Sequence, residues 1–81
     1  MWDRRLHEAL TAWARIDAIL AESPYTLFYM DTNRDYSDPK KRVWLAVILK
    51  EGGKVLARAT GLSRNQAVVN LVHEYDVKER A

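Results

Sequence analysis

Cysteine is missing from the 81 residues, which excludes disulfides and thiolate metal sites. Such a chain suits a reducing compartment, so a cytoplasmic location is expected. Only two prolines and three glycines are present, so turns are few and each one is informative. No apolar run approaches the ~20 residues of a membrane span, and "MWDRRLHEAL" lacks the core of a signal peptide. Neither charge sign dominates. Thirteen Lys and Arg against eleven Asp and Glu leave +2, too little for a basic nucleic-acid arm. Repeats, low-complexity tracts and linkers are also absent, so one domain over residues 1–81 is expected. A chain this short buries only somewhat over roughly 60% of its unfolded surface, and oligomerisation is a natural supplement to its stability.

What is present reads as five elements. Asp3 can cap a helix over about 3–22, with Leu6, Leu10, Trp13, Ile16 and Leu20 at helical spacing, and Pro24 ends it. "YTLFYMD", 25–31, is β-branched and aromatic and predicts a strand. "TNRDYSDPKKR" predicts a long polar loop. Apolar runs at 43–51 and 54–60 flank Gly52-Gly53, a strong hairpin signal. Ser63 caps a final helix over about 63–76, with Gln66 completing a capping box and Ala67, Val68, Leu71, Val72 and Tyr75 as its stripe. The tail "DVKERA" is expected to fray. The fold class is α+β, in the order α-β-β-β-α: a three-stranded antiparallel sheet packed by two helices.

The second strand is apolar on both faces. Val43, Leu45, Val47 and Leu49 point one way, while Trp44, Ala46 and Ile48 point the other. A two-residue turn at Gly52-Gly53 sets Leu49 opposite Leu56, Val47 opposite Arg58, Ile48 opposite Ala57 and Ala46 opposite Ala59. A bulged turn would shift this register and swap the faces. Two helices on opposite faces would cover everything. On one face, they would leave an apolar patch around Leu45, Val47, Leu49 and Leu56, which soluble monomers rarely leave bare.

Chemistry is sparse. "DTNRD" starts like a calcium loop, but Tyr36 stands where glycine is needed and Arg42 where a bidentate glutamate is needed. His7 and His73 lack a third ligand for zinc. Paired catalytic acids and a glycine-rich phosphate loop are also missing, so neither an enzyme nor a cofactor is expected. The expected role is a non-catalytic protein-binding module, self-associating or docking on a partner protein, with inhibition of that partner as one option. Its surfaces are the face of Leu45, Val47, Leu49 and Leu56 and the 31–42 loop, where Arg34 and Tyr36 are the anchors.

The stretch "KEGGKVLARATGLSRNQAVVN" and the element order resemble the double-stranded RNA-binding domain. The family's last helix opens with Lys-Lys-x-Ala-Lys, whose lysines span phosphates. Those positions fall here at Arg64, Asn65, Ala67 and Val68, so only Arg64 keeps a charge. Its minor-groove loop corresponds to "DTNRDYSDPKKR", which has no histidine. The resemblance therefore implies the fold, and as the alternative function it implies binding of structured nucleic acid through Arg64, Asn65, Lys40, Lys41 and Arg42. A short "A-x-(S/T)" entry into an Ala/Val-rich final helix is also similar to small phage-encoded accessory domains, which implies modulation of a host protein.

Overall fold

The computed structural model describes residues 4–35 and 38–80, with side chains described for 4–32 and 42–79. Its elements follow in the order α1 (Arg4–Glu22), β1 (Thr26–Asp35), β2 (Asp38–Lys50), β3 (Val55–Gly61) and α2 (Arg64–Arg80). The strands form one antiparallel sheet with β2 in the middle. The α+β class and the α-β-β-β-α order are those expected, and the topology is compatible with that of the double-stranded RNA-binding domain. Among the described residues, no helix is long and apolar enough to cross a membrane.

Ser23 and Pro24 end α1. The Ser23 hydroxyl accepts the Tyr25 N–H at 3.3 Å and its carbonyl accepts that of Thr26 at 3.2 Å, which turns the chain into β1. At the same end of the sheet, the Gly53 N–H donates to the Lys50 carbonyl at 3.0 Å, and the Lys50 N–H donates to the Lys54 carbonyl at 2.8 Å. Gly52 and Gly53 have φ of 100° and 97°, a region that costs glycine little and other residues much.

Both helices lie on one face of the sheet. Ile16 and Ile19 of α1, Val68 and Leu71 of α2, and Ala46, Ile48 and Ala57 of the sheet form a single core. Phe28, Met30, Trp44 and Ala59 pack at its margin. Trp13 meets Phe28 edge to face, with ring centroids 5.8 Å apart. Each fully buried Ile, Leu or Val here contributes about 1.5–3 kcal/mol of transfer free energy. Gly61 permits a close approach in this layer, because a Cβ there would lie 2.5 Å from the Ala67 amide nitrogen. Between the helices, Arg15 donates to Asp76 at 3.1 Å and its guanidinium lies 6.0 Å from the centre of the Tyr75 ring.

Four expectations change. The buried stripe of α1 is Ala9, Ala12, Ile16 and Ile19, whereas Leu6 and Leu10 are exposed. The alanines let the helix pack closely, and the leucines lie on its flank. The described part of residues 31–42 is strand and not a long loop. β1 and β2 continue past the core as a ladder through Thr32↔Trp44, Asn33↔Val43 and Arg34↔Arg42, with a register shift before Asp35↔Asp38. The turn at Gly52-Gly53 also includes Glu51. Ile48↔Ala57, Ala46↔Ala59 and Val47↔Arg58 stand as expected, but Leu49 lies opposite Val55. The odd-length turn leaves Leu56 as the extra residue of a bulge, and it packs against the core instead of beside Leu49. Finally, α2 runs on through "DVKER" to Arg80, with Lys78 and Glu74 paired at 3.8 Å one turn apart.

Candidate interaction surface

The face of the sheet away from the helices follows from the register. Leu27, Leu49 and Val55 make one row, Tyr29, Val47 and Arg58 the next, and Asp31, Leu45 and Thr60 the third. Leu27, Tyr29 and Val55 are 47%, 51% and 49% exposed, and Leu45 and Leu49 are half-buried. Val47 at the centre is only 8% exposed although no helix covers it. Its cross-strand neighbours Tyr29 and Arg58 have long side chains that shield it from either side. The face is thus an apolar strip with one acid, Asp31, on β1 and one base, Arg58, on β3.

Local bonding fixes its polar rim. The Tyr29 hydroxyl donates to Asp31 Oδ2 at 3.0 Å, and the Thr32 N–H donates to Asp31 Oδ1 at 2.7 Å. The hydrogen bond to the Asp31 carboxylate, reinforced by its negative charge, holds the Tyr29 phenol above its ordinary pKa. On the helix side, burial raises the pKa of Tyr75, and the charges of Glu79 and Glu22 add to it while Arg15 opposes them.

The second candidate surface is the start of α2. Ser63 Oγ accepts the Gln66 N–H at 3.1 Å, so the cap forms. The reciprocal half of the capping box does not. Gln66 Nε2 donates forward to Asn70 Oδ1 at 2.9 Å, and Asn70 Nδ2 donates to the Thr60 carbonyl at 2.9 Å. Trp13 Nε1 donates to Asn65 Oδ1 at 3.1 Å, and the Arg64 guanidinium sits 5.8 Å from the centre of the Trp44 ring. These residues, with Leu62 and Ser63, line an open cleft of about 510 Å³. Asn65 therefore has a bond within the fold, Arg64 lies against an indole, and Val68 is fully buried.

The sequence-derived residues thus divide. Leu45, Val47 and Leu49 share the uncovered face, and Leu56 does not. Arg34 and Arg42 pair across β1 and β2, remote in sequence from the start of α2. Arg42 is exposed, whereas the side chains of Arg34, Lys40 and Lys41, and all of Tyr36, lie outside the described part. Sequence reasoning missed Leu27 and Val55 as members of the face. The alternation Leu27, Tyr29 against Phe28, Met30 was the signal for Leu27, whereas the bulge hid Val55.

His7 and His73 line one groove between the helices, yet among the described residues no group of three His, Asp or Glu side chains could hold a metal. The backbone of "DTNRD" is extended strand and not the turning backbone of a calcium loop. Comparison with protein-family models, curated proteins and solved structures gives no significant match.

Proposed function

We propose that this chain is a non-catalytic protein-binding module, which docks a partner protein on the face built from Leu27, Tyr29, Leu45, Leu49 and Val55. The observation that supports this reading is the placement of both helices on the opposite face, with half-exposed apolar side chains left on three adjacent strands. Exposed apolar patches rimmed by polar residues mark interaction sites in soluble proteins. The fitting partner presents apolar side chains, with a base to meet Asp31 and an acid to meet Arg58. Capture from an extract of the source cells by the wild type and by a Leu27→Lys/Val55→Lys variant tests the proposal. A partner retained by the wild type and lost by the folded variant supports it, whereas equal retention by both overturns it.

Structured nucleic acid is the second reading, favoured by the exposed Arg64 at a helix N-terminus. It ranks lower because Asn65 is bonded to Trp13 and Val68 is buried, so two of the three phosphate-spanning positions do not serve it. Retention of a duplex RNA of about 20 base pairs at physiological salt, lost in Arg64→Glu, would reverse that ranking.

A further inference from the structure

The two edges of the sheet are built differently. β3 carries a bulge at Leu56 and a charged Arg58, and Asn70 bonds the Thr60 carbonyl on its outer side. All three are devices that keep an edge strand from pairing with another chain. β1 has none of them between Thr26 and Met30. "TLFYM" has no charge and no proline, and its only register shift lies beyond, at Arg34/Asp35.

Which groups face outward follows from the ladder. The Glu51 N–H donates to the Tyr25 carbonyl at 2.7 Å, so Tyr25, Leu27, Tyr29 and Asp31 direct their backbone groups toward β2. Phe28 and Met30 direct theirs away, and among the described residues nothing bonds to their N–H groups. Thr26 is already used, because its N–H donates to the Ser23 carbonyl.

We propose that β1 pairs antiparallel with β1 of a second copy of this chain, with Phe28 and Met30 exchanging main-chain hydrogen bonds across a two-fold axis. The occupant is a second copy because the strand is self-complementary. In that register Phe28 of each copy lies opposite Met30 of the other, an aromatic–aliphatic cross-strand pair of the favourable kind, and Tyr29 lies opposite Tyr29 on the uncovered face. A two-fold axis perpendicular to the sheet keeps both uncovered faces on the same side, and the three-stranded apolar strip becomes six strands wide. This pairing does not depend on the docking of a foreign partner. Val55→Lys, on the opposite edge, weakens that docking and leaves the β1 pairing in place, so the two readings fail separately.

Amide hydrogen exchange on the wild-type chain, with mass measured over the same concentration series, tests it. The expected result is a mass rising from 9.4 kDa toward twice that value. Exchange at Phe28 and Met30 should slow at least about tenfold at the high end, while Leu27 and Tyr29 are protected throughout. A dimer whose Phe28 and Met30 amides exchange at the same rate at all concentrations would overturn the proposal, because association would then use another surface. A monomer at every concentration would overturn it outright.

Discussion

Gly61 lies directly beneath the first turn of α2, so close that a Cβ on it would fall 2.5 Å from the Ala67 amide nitrogen and 2.9 Å from the Gln66 carbonyl carbon. Both are backbone atoms of the element that closes the core, and neither can swing aside as a side-chain end would. Gly61→Ala should therefore push α2 off β3 and cost about 1–3 kcal/mol, the usual range for overpacking. Chemical denaturation reads this directly. An unchanged midpoint would mean that the helix does not sit this close.

The start of α2 gives a second contrast. Ser63 bonds the Gln66 N–H, whereas the Gln66 side chain bonds Asn70 and not the Ser63 backbone. Ser63→Ala should destabilise by ~1 kcal/mol, as cap removal commonly does. Gln66→Ala should cost clearly less, because the cap survives it. Equal losses in thermal melts would show that a full capping box forms.

Residue size misleads along α1. Ile16 is fully buried and Leu10 is exposed, although both are large aliphatic residues at helical spacing. Ile16→Ala should cost about 2–5 kcal/mol and Leu10→Ala under about 0.5 kcal/mol. Comparable losses would place the buried face of α1 elsewhere.

The raised tyrosines set an alkaline limit. The folded chain holds the phenolic protons of Tyr29 and Tyr75 more tightly than the unfolded chain does. Their contribution is fully present below the ordinary value of 10.0 and is lost as pH climbs past it. Asp31→Ala removes both the hydrogen bond and the charge acting on Tyr29. Ultraviolet titration of that variant should show this phenol returning toward 10.0, and the melting temperature should fall less steeply above that pH. Identical titrations in variant and wild type would deny the Tyr29–Asp31 bond.

Much of the architecture was legible in the sequence because local chemistry and topology agree in it. Gly52-Gly53 announced the hairpin, and Ser63 announced the cap of the last helix. What stayed hidden was non-local. Ala9 and Ala12 carry the seat of α1, but alanine gives a weak periodic signal beside Leu6 and Leu10. Asn33 to Asp35 extend a ladder beyond the last core residues, where polar strands have no alternation to betray them. Glu51 joining the turn forced the bulge at Leu56, which moved one apolar residue onto the core and put Val55 in its place. The candidate surface was legible through β2 alone, since only the three-dimensional register shows which residues of β1 and β3 complete it.

The central claim is that Leu27, Tyr29, Leu45, Leu49 and Val55 form an apolar face open to a partner. Its most direct test is the fluorescence of an apolar dye added to the folded chain, compared with the Leu27→Lys/Val55→Lys variant under identical conditions. Strong enhancement with the wild type, reduced several-fold in a variant that melts at the same temperature, is the expected result. Equal fluorescence from the two folded proteins would contradict the claim, because the dye, and with it any apolar partner, would then find its surface elsewhere.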